Sequence, residues 1–100
     1  MSKHRQAAKV DNSQTSIVRD LRKIPGLIVE VGHDDVLIGY KDRTYWYDLK
    51  NPEDVSKKTG EIRPSKLTDN DKRRLRDYTG HFKIVWSIEQ ILKEMGIVNN

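Results

Sequence analysis

An α+β fold, a four-stranded mixed sheet flanked by helices, is the class this sequence predicts. Three observations carry that expectation. Helical spacing of apolar residues marks the segments near residues 13–24 and 87–96. Three β-rich runs follow one another closely between residues 27 and 50. A further run at 82–86 is reached only through a polar segment with a helix start at Thr68 or Asp69.

The elements follow in chain order. Residues 1–11 predict a disordered basic arm carrying Lys3, Arg5 and Lys9, and residues 12–100 a single domain. Asn12 or Ser13 can cap a first helix, whose apolar face is Ile17, Val18, Leu21 and Ile24. Pro25-Gly26 stops it. Leu27–Val31 is a first strand, broken by Gly32. Val36–Tyr40 is a second, led by Asp34-Asp35. Lys41-Asp42 is a short polar break, and Arg43–Lys50 is a third strand. Such short connections argue for antiparallel pairing. Residues 51–66, with Pro52, Gly60 and Pro64, predict a long loop. A second helix runs to near Gly80, Phe82–Trp86 is a fourth strand, and Ser87 with Gln90 forms a capping box for a last helix that Gly96 ends. A strand reached through a helical crossover pairs parallel to its neighbour or at the far side of the sheet.

Composition narrows the function. The chain holds 19 Lys+Arg against 15 Asp+Glu, a net charge of +4. It has no Cys, which excludes disulfide scaffolds, thiol nucleophiles and thiolate zinc sites. It has no apolar run long enough to span a membrane, and the basic start lacks the apolar stretch of a secretory signal. His4, His33 and His81 have no metal-ligand spacing. Leu, Ile, Val and Phe make up 25 residues, enough for a small core under a large charged surface. Dimerisation is a natural way to enlarge so thin a core.

The third strand carries the chemistry. Period-two alternation puts Thr44, Trp46, Asp48 and Lys50 on one face, and Tyr45, Tyr47 and Leu49 on the other. In an antiparallel hairpin the start of the second strand lies beside the end of the third. Asp35 therefore sits near Asp48 and Lys50, with Trp46 facing the acids. Two close carboxylates repel, and a hard divalent cation relieves the repulsion. Oxygen ligands without His or Cys favour Mg²⁺ or Mn²⁺. No organic cofactor is expected. His33 adjoins the acids and is placed to assist proton transfer or touch phosphate. Basic residues across the long loop and second helix, with Lys66, Lys72, Arg73 and Arg76 the candidates, can grip a phosphate backbone, although Asp69, Asp71 and Asp77 dilute the cluster.

Asp35 followed by Asp48-Leu49-Lys50, on strands in this order, resembles the PD-(D/E)XK nuclease superfamily. The run Val31–Tyr40, with Lys66-Leu67-Thr68 and Val85–Glu89 downstream, is similar to the small virus-type replication-repair nucleases and the Holliday-junction-resolvase-like proteins of phages. The likeness extends over about Asp11 to Gly96. It implies a restriction-endonuclease-like αβββαβα core. It implies Mg²⁺ or Mn²⁺ on Asp35 and Asp48, the Leu49 carbonyl as a further ligand, and a catalytic Lys50. Asp34 stands where the family has proline, so it is an alternative ligand to Asp35. Many members carry a Glu ligand on the first helix, and here Gln14 is the positional match.

The expected function is a metal-dependent DNA endonuclease, structure-selective for branched, flapped or nicked DNA. A homodimer is needed if it cuts junctions symmetrically. The expected location is the cytoplasm of a bacterium or phage-infected host. The rival expectations on the same fold are an inactive nucleic-acid-binding module and a phage adaptor protein.

Overall fold

The computed structural model describes residues 14–33 and 35–97. The expected basic arm at 1–11, the capping residues Asn12 and Ser13, and Asp34 lie outside the described residues. The elements are α1 (Gln14–Leu21), β1 (Ile28–Val31), β2 (Asp35–Tyr40), β3 (Arg43–Leu49), α2 (Asp69–Asp77), β4 (Lys83–Val85) and α3 (Ile88–Met95). The sheet runs in the order β1-β2-β3-β4. β1, β2 and β3 pair antiparallel, and β4 pairs parallel to β3. The α+β class and the mixed four-stranded sheet expected from the sequence are present.

Local chemistry explains each join. Gly26 (φ 89°) turns the chain after α1 in a conformation that suits glycine. The β2–β3 connection is the pair Lys41 (φ 51°) and Asp42 (φ 67°). Left-handed backbone at both positions matches the twist of a tight hairpin, so the turn forms without a glycine. A Thr68–Asp71 capping box starts α2, and a Ser87–Gln90 box starts α3. Gly96 (φ 77°) ends α3.

One face of the sheet holds the core. Ile17, Val18 and Leu21 of α1 and Ile91, Leu92 and Met95 of α3 pack with Val29, Val36, Ile38, Tyr47 and Val85. α2 lies across the opposite face, over β3, where it meets Asp48, Lys50 and Trp46. α2 leaves β1 and β2 uncovered on that face, so Ile28 is 65% and Leu37 43% exposed.

Residues 51–66 form the expected loop, with turn structure of their own. They hold 3-10 turns at Pro52–Asp54 and Pro64–Lys66 and a Val55–Ile62 bridge. The Ser56 Oγ accepts from the Lys58 and Thr59 N–H groups, and Ile62 is buried, so this segment has its own turn chemistry and an apolar anchor. α2 ends at Asp77, short of Gly80. Tyr78 leaves the helix in extended backbone and sets its ring edge-on to Trp46.

Candidate functional site

The hairpin geometry sets the site. Asp35 of β2 lies directly opposite Asp48 of β3 in the sheet register. Both line a cleft of about 210 Å³ with His33, Lys50, Thr68, Asn70, Asp71 and Arg74. The juxtaposition of Asp35, Asp48 and Lys50 expected from the sequence is therefore present.

The side chains are held individually. Asp35 Oδ2 accepts from Trp46 Nε1 at 2.6 Å. Its other oxygen lies over Gly32, where a Cβ would come within 2.2 Å of Oδ1. A side chain at residue 32 would displace this carboxylate. Lys50 Nζ lies 3.2 Å from Asp48 Oδ2 and 2.9 Å from Asp71 Oδ2. Asp71 Oδ2 also accepts from the Thr68 N–H at 2.9 Å, so the capping box of α2 delivers a third carboxylate to the cleft. Asp48 and Asp71 are 3% and 2% exposed. Asp48 Oδ1 is buried with no hydrogen-bond partner.

Burial, the hydrogen bond with Asp71 and the Asp71 charge push the Asp48 carboxyl up to about 7, against the pull of Lys50. Burial also works against the Asp71 charge, but hydrogen bonds from Asp48, Lys50 and the Thr68 backbone outweigh it and hold that carboxyl at about 2. Burial disfavours the Lys50 ammonium, yet Asp71 and Asp48 more than offset this and raise its proton affinity. The arrangement is an ammonium clamped between two carboxylates, one of which holds the proton more readily.

A hard divalent cation would find few protein ligands at this donor set. Among the described residues no group of three or more His, Cys, Asp or Glu side chains is placed to hold a metal ion. An all-protein cage is therefore not offered. Mg²⁺ typically takes only one or two carboxylates and completes its shell with water and phosphate oxygens. The Asp35–Asp48 pair, with the unpartnered Asp48 Oδ1, matches that lower demand.

The remaining expected site residues fall in different places. Leu49 ends β3 between Asp48 and Lys50 and packs against the core. His33 is exposed at the mouth of the cleft. Gln14 is the first residue of α1 and does not line the cleft. Asp34 is outside the described residues. Lys72, Arg73 and Arg76 are exposed on α2, Arg76 being paired with Asp77 at 3.0 Å. Lys66 is on the second 3-10 turn, 3.9 Å from Asp54.

Three residues not among the expected site residues complete the site. Asp71, which dilutes the basic cluster in the sequence, is a buried anion here. Arg74 lines the cleft and lies over the Trp46 ring at 4.5 Å. Tyr78 packs edge-on to the same ring. The Thr68-x-x-Asp71 pattern was the available signal for Asp71. Asp71 and Arg74 stand at i and i+3 on one face of α2 and Tyr78 follows as its C-cap, a polar pattern that hydropathy overlooks.

A second cluster supports the first from behind. His81 Nδ1 accepts the Trp46 backbone N–H at 3.0 Å, and its Nε2 lies 2.9 Å from Glu94 Oε1. The Tyr47 hydroxyl donates to the same Glu94 oxygen, and Lys83 pairs with the other. Burial, with the Glu94 carboxylate next, raises the Tyr47 hydroxyl above its ordinary range. Trp46 is thus tied on its backbone to α3 and on its side chain to Asp35.

In comparisons with protein-family models, curated proteins and solved structures, nothing matches this chain. No helix among the described residues is long and apolar enough to cross a membrane.

Proposed function

We propose that this protein is a metal-dependent DNA endonuclease with a restriction-endonuclease-like core, hydrolysing phosphodiester bonds in branched, flapped or nicked DNA. The observation that carries the reading is the cross-strand pair Asp35 and Asp48, with Lys50 held at the same end of the sheet. The αβββαβα order and the parallel β3–β4 pair agree with it.

Asp35 and Asp48 would hold Mg²⁺ or Mn²⁺, with the Leu49 carbonyl the additional donor that the family resemblance implies. A cation there supplies Lewis-acid polarisation of phosphate and a bound water of lowered pKa. Lys50 orients the attacking water and offsets charge that builds on the phosphate oxygens. Asp71 is a positioning residue, because its Oδ2 holds the Lys50 ammonium at 2.9 Å. Arg74 adds a fixed cation at the cleft. Lys66, Lys72, Arg73 and Arg76 contribute sequence-independent backbone contacts, so binding weakens as salt rises.

Cleavage of labelled linear, flapped and four-way DNA in Mg²⁺, Mn²⁺ or EDTA tests the reading, with Lys50→Ala and Asp35→Asn alongside wild type. Asp35→Asn keeps an acceptor for Trp46 Nε1 and so preserves the local packing. The expected outcome is metal-dependent cutting that EDTA and Lys50→Ala abolish and that Asp35→Asn lowers about 100-fold or more. Intact DNA in both metals overturns it.

A second reading, a nucleic-acid-binding module without catalysis, is favoured by one observation. Lys50 is already engaged by two carboxylates and Asp35 by an indole. It predicts salt-sensitive DNA binding that needs no metal and survives Asp48→Ala.

A further inference from the structure

Beside the Asp35–Asp48 cleft lies a second one of about 350 Å³, lined by Trp46, Arg73, Arg74, Asp77 and Tyr78. Arg74 lines both clefts, and Trp46 touches Asp35 through its indole N–H. We propose that this second cleft is a nucleobase site, receiving one unpaired base of the nucleic acid whose phosphate lies at Asp35 and Asp48. This inference rests on the reading that the protein acts on nucleic acid, and it names the substrate class: strands with bases free of pairing.

The composition of the cleft selects a base over the other groups a protein surface can take. Aromatic rings and guanidinium planes are the surfaces on which unpaired bases stack. Here they are Trp46, a Tyr78 that is 50% exposed, and the planes of Arg73 and Arg74. An aliphatic partner would meet charge on most sides. A phosphate would meet the Asp77 carboxylate, which Arg76 holds through two hydrogen bonds of 3.0 Å. The same carboxylate can accept from an N–H on the edge of a base.

The cleft is also built before any ligand arrives. The Trp46 indole is fixed by Asp35, by the edge of Phe82 at 4.9 Å and by Arg74. The Tyr78 ring lies against Gly80, where a Cβ would approach it to 2.8 Å. Fixed rings lose little freedom on binding, which favours stacking. A base in a blunt duplex cannot reach this cleft without leaving its stack, so flaps, gaps and single strands are preferred.

The test is equilibrium binding in EDTA, where no cleavage occurs. The probes are a short thymine oligonucleotide, an abasic backbone of the same length and charge, and a blunt duplex. Wild type is expected to bind the thymine strand about tenfold more tightly than the abasic one. Tyr78→Ala removes that difference, while Tyr78→Phe retains it. Equal wild-type affinity for thymine and abasic strands overturns the proposal, and so does a folded Tyr78→Ala that keeps the full difference. The wild-type comparison stands even if a variant does not fold. A base preference in a protein that cuts no DNA would overturn the nuclease reading alone. Metal-dependent cutting with no base preference would overturn this inference alone.

Discussion

Gly32 has no side chain, and the Asp35 carboxylate occupies the space one would need. A methyl group added there would lie 2.2 Å from Asp35 Oδ1. Gly32→Ala is therefore expected to displace the carboxylate while sparing the core, because residue 32 is exposed. Metal-dependent cleavage should fall about 100-fold, the order expected for a misplacement near 1 Å, with little change in thermal midpoint. Unchanged cleavage would remove Asp35 from the site. Glu94 makes a second argument at this scale. Burial disfavours its charge, but hydrogen bonds from Lys83, Tyr47 and His81 outweigh that and hold it at about 2, against an ordinary 4.5. A carboxylate lowered on folding stabilises the fold above its ordinary value, and that share is lost as pH falls from 4.5 towards 2. Denaturant unfolding across this range should show Glu94→Gln less stable at neutral pH, with a flatter acid limb than wild type.

At the scale of elements, α2 is the piece that turns a sheet end into a cleft. Its mean composition is strongly polar, DNDKRRLRD, and little apolar burial holds it. Asp71 does the holding, through the capping box and Lys50. Asp71→Ala leaves Lys50 paired with Asp48 alone and the Thr68 N–H without its acceptor, and the expected cost is about 1–3 kcal/mol. Thr68→Ala removes only the cap, at about 0.5–2 kcal/mol. Urea unfolding of the two variants separates the contributions. Equal losses would mean that the Lys50–Asp71 contact adds nothing to docking. The loop at 51–66 carries its own hydrogen bonds, such as Ser56 N–H to the Glu61 carbonyl at 2.7 Å.

Over the whole molecule the two faces of the sheet do different work. α1 and α3 bury one face, and that face holds the fold together. The other is only partly covered by α2. Ile91→Ala, at a fully buried position, is expected to cost about 2–5 kcal/mol. Ile28→Thr, at a position 65% exposed, should change stability by no more than about 0.5 kcal/mol. Matching thermal shifts for the two variants would contradict this division. The free edge of β1 is also managed, since the Arg22 guanidinium donates to the Val29 carbonyl at 3.2 Å and occupies an acceptor that another strand could use.

Local rules in the sequence were sufficient for the element order, the antiparallel hairpins, the α3 capping box and the facing of Trp46 toward the acids. Strand alternation and short connections act over a few residues, and they place Asp35 opposite Asp48 without any knowledge of the rest. Gln14 shows where positional matching stops, because a place in chain order does not set a distance across the fold. Asp71, Arg74 and Tyr78 reach the site only because the β3–β4 crossover lays α2 against the sheet. Residues 50–82 intervene between the strands it joins, and nothing local fixes the angle at which that segment returns. The carboxylates were legible because backbone hydrogen bonds set their register. The ion clamp and the aromatic cleft were not, because packing between elements distant in the chain sets them.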